Sequence, residues 1–214
     1  MMDKTIVQCD FDGTITDEDA SFYLLDAYAE GDWRSILEQY KAGRITVGEF
    51  NTRAFAMIKQ DEATLLSKLE ENVRIRPGFS ELLDYCKCRG FRFVIVSNGL
   101  QFYIEAILRA LGLSGIEVHA ATNRFEATGV HVQYVAPDGT VLQDGFKEAF
   151  THLYLSEGYR VAYVGNGTSD SYASRHAHLV FATGDLLAYY QKHGLPCVPF
   201  NDLSDVVTGL SKLC

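Results

Sequence analysis

Cys9-Asp10-Phe11-Asp12-Gly13-Thr14-Ile15-Thr16 follows the run Thr5-Ile6-Val7-Gln8. The β-branched start makes Thr5 to Cys9 read as a strand. It runs out at two carboxylates separated by one residue. In open α/β sheets, ligands bind outside the carboxyl ends of the strands. Side chains at i and i+2 can point to the same side there. Two anions so placed repel by about 4 kcal/mol at 4 Å in a medium of effective dielectric 20. A cation, or one proton kept on one acid, must offset this. Taken alone, Asp-x-Asp suits either a solvated turn or a nucleophile beside an acid/base.

Outward from this strand the pattern repeats. Phe91-Arg92-Phe93-Val94-Ile95-Val96, Arg160-Val161-Ala162-Tyr163-Val164 and Leu179-Val180-Phe181 are short β-rich runs, each followed by polar or glycine residues and then a helical pattern. That alternation predicts an α/β fold with a parallel sheet. Residues 20–75 break it and contain no convincing strand. Thr46 and Glu49 have capping-box spacing ahead of Phe50, Ala54, Met57 and Ile58, and Asp61 is placed to cap a helix bearing Leu65, Leu66 and Leu69. The reading is a helical insertion of about 55 residues, the size of a small subdomain. Pro77 starts a helix that Gly90 ends, and a further helix ends at Gly112. Val130 to Val135, Ala136-Pro137-Asp138-Gly139 and Thr140-Val141-Leu142 read as a β-hairpin.

Composition narrows the function. At 214 residues and 47% hydrophobic content, the chain can bury a full core without disulfide or zinc staples. Its net charge of −9 argues against nucleic acid as a partner. No apolar run approaches the roughly 20 residues of a membrane span. The strand beginning at Thr5 is expected to leave no room for a signal peptide. The five cysteines (9, 86, 88, 197 and 214) are odd in number and lack zinc spacing, so a reduced, cytoplasmic setting is expected. Cys86-x-Cys88 reads as two neighbours on a helix, and His176-Ala177-His178 as structural.

The string Asp10-Phe11-Asp12-Gly13-Thr14 resembles the first signature of the haloacid dehalogenase superfamily, most of whose members are phosphatases. Three later segments resemble its other signatures in order. They are Val96-Ser97-Asn98, Lys147 at a helix start, and Gly165-Asn166-Gly167-Thr168-Ser169-Asp170, where the family normally reads GDxxxD. The resemblance spans about residues 5–182. It implies a Rossmann-like three-layer α/β/α core over residues 1–16 and 77–214, with a hairpin insertion at about 116–145. Residues 17–76 would form a helical cap of the phosphoserine phosphatase branch.

The resemblance also implies roles. Asp10 would attack phosphorus and form an aspartyl-phosphate. Asp12 would protonate the leaving oxygen and then activate water, the alternative being a metal or turn ligand. The Ser97 hydroxyl, the Asn98 amide and Lys147 would hold the phosphoryl group. Magnesium would take oxygens from Asp10, the Asp12 carbonyl, Asn166 and Asp170. Asn166 departs from the pattern, because the family usually supplies a carboxylate there. A catalytically weak phosphate-ester binder or regulatory pseudo-phosphatase is therefore the alternative. The presence of Asp12 favours phosphoryl chemistry over dehalogenation.

Ser97-Asn98-Gly99-Leu100-Gln101-Phe102-Tyr103 is similar to the matching segment of the 2-hydroxy-3-keto-5-methylthiopentenyl-1-phosphate phosphatases. Phosphoserine phosphatases grip the amino acid with a cap acid and a cap arginine. Asp19 and Arg53 lie near those positions, though Asp19 also suits a helix cap and Arg53 a solvated helix face. The expected partner is a small phosphorylated metabolite.

Overall fold

The computed structural model describes residues 4–212; Cys214 and the first three residues of the expected core lie outside them. The chain begins with β1 (Thr5–Cys9) and four helices, α1 (Ala20–Tyr28), α2 (Trp33–Lys41), α3 (Val47–Phe55) and α4 (Glu62–Asn72). Then come α5 (Phe79–Arg89), β2 (Arg92–Leu100), α6 (Gln101–Ala110), β3 (Glu117–Glu126), β4 (Gly129–Val135) and β5 (Val141–Leu142). The remainder is α7 (Phe146–Ser156), β6 (Arg160–Gly165), a 3-10 turn (Thr168–Asp170), α8 (Ser171–Ser174), β7 (Leu179–Ala182), α9 (Gly184–Lys192), β8 (Val198–Pro199) and α10 (Leu203–Ser211).

Among the described residues the strands form one sheet of order β5-β4-β3-β2-β1-β6-β7-β8. Pairing is parallel from β3 through β8, and antiparallel at β3–β4 and β4–β5. Strand alternation produces the layers. Val7, Cys9, Ile95, Ala162, Val164 and Phe181 share one core with α5, α6 and α10. Ile6, Val94, Val96 and Val161 pack on α7, and Tyr163, Val180 and Ala182 on α8 and α9. Both faces are covered, which is why the central strands are apolar on both sides. No helix among the described residues is long and apolar enough to cross a membrane.

The two connections to α1–α4 run side by side. Thr16 bridges Ile75, Asp17 N donates to Arg74 O (3.0 Å), and Arg76 N donates to Ile15 O (2.8 Å). The Arg76 guanidinium donates to the carbonyls of Gly13, Thr14 and Asn201 at 2.8–2.9 Å. The helical caps follow the residues expected: Thr46 accepts from Glu49 N, and Asp61 from Thr64 N.

Two strands differ from the sequence expectation. β2 continues through Ser97-Asn98-Gly99 to Leu100 instead of ending at Val96, with a register shift against β3 between Val96 and Leu100. The sheet is mixed, because β3 also pairs antiparallel with β4 through a turn at residues 127–128 that the sequence did not signal. The expected turn at 136–139 does join β4 to β5.

At the β3–β4 turn, Gly129 has φ +133°, and a Cβ there would lie 2.1 Å from Ala56 O, just past α3. Gly139 also has positive φ but open space around it. Gly129→Ala is therefore expected to cost more stability than Gly139→Ala, by ~1–3 kcal/mol, in urea titrations. Equal losses would mean that Ala56 yields freely.

Candidate active site

Strand order reverses about β1, with β2 on one side and β6 on the other. Such a switch point leaves a crevice at the carboxyl ends of the strands. A cavity of about 380 Å³ lies there, lined by Asp10, Asp12, Asp19, Ser97, Asn98, Lys147 and Asn166, and by Phe22, Tyr40, Phe50 and Asn51 from the helical insertion. A larger hollow of about 520 Å³ between α3 and the β3–β5 arm is lined by no carboxylate and no lysine. The chemistry belongs to the first cavity.

The turn after β1 is tightly wound. Phe11 O accepts from the amides of Thr14, Ile15 and Thr16 at 2.9–3.1 Å. Gly13 takes φ +71°, and a Cβ at that position would sit 2.2 Å from Asn166 Nδ2. Glycine is thus what lets the loop after β6 approach the loop after β1. Thr14 Oγ1 donates to Asn166 Oδ1 (3.1 Å) across the same gap.

Behind the cavity a single ammonium serves two acids. Lys147 Nζ lies 2.7 Å from Asp10 Oδ1 and 2.7 Å from Asp170 Oδ1, with all three residues buried. The helix start explains the aim: Gly145 in left-handed conformation leads into α7, whose first turn places Lys147 toward the sheet. Burial alone would depress the ammonium, but the charges of Asp10 and Asp170 hold it above the ordinary lysine value. Burial, reinforced by the charge of Asp170, raises the Asp10 carboxyl from 3.8 to about 7, against the opposing pull of Lys147.

Asp170 is the one expected metal ligand that the geometry removes from the cavity wall. Its Oδ1 also accepts from Tyr163 Oη (2.7 Å), and its Oδ2 accepts from the amides of Asn166 (3.0 Å) and Gly167 (2.8 Å). With no exposed surface and four donors in place, its oxygens are engaged in shaping the 165–167 loop and holding Lys147.

Asp12 sits at the cavity floor. Its Oδ1 accepts from Ala20 N (3.0 Å) and its Oδ2 from Tyr103 Oη (2.5 Å). Burial and then the nearby charge of Asp19 raise its carboxyl well above the ordinary value, while the Tyr103 hydrogen bond opposes the rise. Asp19 caps α1 through Ser21 N and Phe22 N and lines the cavity as well. Arg53 is elsewhere. It pairs with Glu49 (3.2 Å) and Gln39 (3.3 Å) on the outer face of α3, and its side chain is 42% exposed.

The Ser97 hydroxyl accepts from Gly99 N (3.0 Å). Asn98 O accepts from both Asn51 Nδ2 (2.9 Å) and Tyr134 Oη (2.7 Å). This buried network ties α3 to β2 and β4. It was missed in the sequence, as was the Tyr103 bond to Asp12, because no local spacing links residues 36–91 positions apart; the Tyr163 bond to Asp170, seven positions apart, was missed as well.

Four carboxylates, Asp10, Asp12, Asp19 and Asp170, share this region with the single buried ammonium of Lys147. The anionic excess and the oxygen donors of Asp10, Asp12 and Asn166 fit a hard divalent cation such as magnesium. Asn166 Oδ1 keeps a lone pair beyond the one that Thr14 uses.

The raised Asp10 value has a definite sign in folding. Between the ordinary 3.8 and about 7, the folded chain retains a proton that the unfolded chain has lost. The contribution of Asp10 to stability therefore falls as pH rises through that window. Asp10→Asn, which keeps an oxygen for Lys147, is expected to flatten the pH dependence of the urea midpoint there. It should gain ~1–3 kcal/mol at pH 8. Parallel curves for the two proteins would show that Asp10 is not destabilised in the fold.

Comparison with known proteins agrees with this geometry. Residues 7–175 match the family model described as haloacid dehalogenase-like hydrolase. A 2-hydroxy-3-keto-5-methylthiopentenyl-1-phosphate phosphatase from Geobacillus kaustophilus (strain HTA426) is 26% identical over 100% of this chain and 98% of its own length. One of the same name from Exiguobacterium sp. (strain ATCC BAA-1283 / AT1b) is 27% identical over 95% of each chain. Among solved structures, a phospho-aspartyl intermediate analogue of phosphoserine phosphatase superposes with a TM-score of 0.71 at 19% identity, covering 96% of this chain and 98% of that one. The phosphoserine phosphatase from T. onnurineus gives 0.70 at 20% identity, over 96% and 93%. With its Rossmann-like core and this match over most of its length, the chain belongs to the haloacid dehalogenase-like hydrolases.

Proposed function

We propose that the protein hydrolyses a small phosphomonoester by way of a phosphorylated Asp10, and that the alcohol it releases is neutral and partly apolar. The observation that carries this reading is the shared ammonium: Lys147 bonds Asp10 Oδ1 and leaves the rest of that carboxylate at the cavity wall. In the first step an Asp10 oxygen bonds to phosphorus as the ester oxygen leaves, and Asp12 gives that oxygen its proton. In the second step Asp12 takes a proton from water, whose oxygen displaces the Asp10 oxygen from phosphorus. The elevated affinity of Asp12 for its proton suits an acid working near neutrality. Ser97, the Asn98 amide and Lys147 hold the phosphoryl oxygens. Asp170 acts through Lys147 and the 165–167 loop.

Asp10, Asp12 and Asn166 would hold magnesium, which would supply positive charge against the carboxylates and the phosphoryl group. Asn166 brings one negative charge fewer than the family's usual carboxylate, which favours weak metal binding and slow turnover. Loss of a ligand's charge is expected to cost at least the roughly 10–100-fold of outer-shell changes. Asn166→Asp should accordingly tighten magnesium binding by about tenfold or more in calorimetry. Unchanged affinity would exclude residue 166 as a ligand.

Helices α1–α4 would form the cap that covers the leaving group and keeps out water. Their contribution to the wall includes Phe22, Tyr40, Val47, Phe50 and Asn51 together with one charge of each sign, Asp19 and Lys41, and the lining contains no arginine. That wall suits an uncharged thioether or keto-alcohol better than the carboxylate of an amino acid. The names of the relatives agree, and the reading is therefore an enol-phosphate phosphatase of the 2-hydroxy-3-keto-5-methylthiopentenyl-1-phosphate type. Phosphate release with magnesium is expected to favour that substrate over phosphoserine by about tenfold or more in kcat/KM, a discrimination within reach of one side-chain pocket. Asp10→Asn should abolish turnover of both. Preference for phosphoserine would sink the substrate assignment alone. Full activity of Asp10→Asn would sink the mechanism.

A further inference from the structure

On the outer side of α7, away from the cavity, Glu148, His152 and His176 bring one ligand atom each within 4.8 Å of one another. Glu148 Oε1 lies 2.9 Å from His176 Nε2 and 3.6 Å from His152 Nε2. We propose that these three residues form a second metal site, of the His2Glu class, that takes zinc.

The geometry suits that ion. Zinc bonds of about 2.0–2.1 Å in a tetrahedron place the ligand atoms about 3.3–3.4 Å apart. The two distances from Glu148 bracket this spacing, and small side-chain rotations reach it. Two imidazoles and one carboxylate match zinc better than magnesium, which prefers an all-oxygen shell. The side chains are 33%, 54% and 39% exposed, so solvent can fill the fourth position.

The scaffold is already in place. Glu148 and His152 stand at i and i+4 on α7 and share a face. His176 follows α8 in a segment fixed by its neighbour: His178 N donates to Val161 O (2.9 Å), and His178 Nδ1 accepts from Val161 N (3.2 Å). His178 is thereby committed to the backbone. In the pair His176-Ala177-His178 only the first histidine is available as a ligand. The His152 and His176 rings lie 4.4 Å apart between centroids, so the two imidazoles are already neighbours.

The site would join two segments that matter to the cavity from the side opposite it. Glu148 is the residue after Lys147, and His176 lies six residues beyond Asp170. Zinc there would bolt the start of α7 to the end of α8 without entering the phosphate cleft.

Tag-free protein, stripped with chelator and kept in excess magnesium, should bind one zinc ion in calorimetry. It should also give the intense visible absorption of four-coordinate cobalt when Co2+ is substituted. His152→Ala and His176→Ala are each expected to weaken zinc by about tenfold or more. His152→Gln serves as a milder variant should the alanine chain fail to fold. Asp10→Asn should keep both the affinity and the cobalt spectrum, and His152→Ala should keep magnesium-dependent phosphate release. Zinc affinity untouched by the histidine variants, or lost in Asp10→Asn, would overturn the proposal.

Discussion

A buried lysine ammonium shared between two buried carboxylates is the constraint around which the site is arranged. Lys147 cannot leave Asp170 without stranding a carboxylate that has no exposed surface, and it cannot leave Asp10 without stranding another. Breaking such a contact from one side costs several kcal/mol. The triad therefore fixes three elements at once: the end of β1, the start of α7 and the turn after β6. Those elements are far apart in sequence, and apolar packing alone would leave their relative positions at the cleft less closely defined.

The same arrangement leaves the interior short of positive charge. One ammonium faces four acids, and the cleft compensates by holding Asp10 and Asp12 at raised proton affinity. Neutral donors share the load. Tyr103 serves Asp12, Tyr163 serves Asp170, and both phenols are buried so deeply that they stay protonated. The result is destabilising for the fold and useful for proton transfer, the usual opposition between stability and activity at a reaction centre.

Much of this was legible in the chain. The central strands announce themselves as β-branched runs, Asp10, Asp12 and Lys147 stand where a strand ends or a helix begins, and Ser97 and Asn98 follow the apolar part of β2, positions that motifs mark. Less visible were β3 and the true end of β2. Glu117–Glu126 has half-exposed, polar-rich alternation, and the 127–128 turn lacks the dipeptides that signal hairpins. Arg53 drew attention through the resemblance to a cap arginine, and helix geometry turned it outward. Asp170 looked like a ligand because it is an acid in a metal signature. Only the coordinates reveal that backbone amides, a phenol and an ammonium already engage both its oxygens. Asn51 had no signal, and Tyr103 stood in a quoted motif without its role, since each reads as one more member of a helix until the distant partner is known.

The bridge between Thr16 and Ile75 has an architectural consequence. Because Arg76 N reaches Ile15 O directly, the chain departs from and returns to the sheet at points one hydrogen bond apart. The cost of closing a loop grows only with the logarithm of its length. The sheet thus barely registers how many residues lie between those points. Four helices could be exchanged for another insertion that replaces the Ala20 bond to Asp12 and the Asn51 bond to Asn98, which makes this junction a natural seam for recombination.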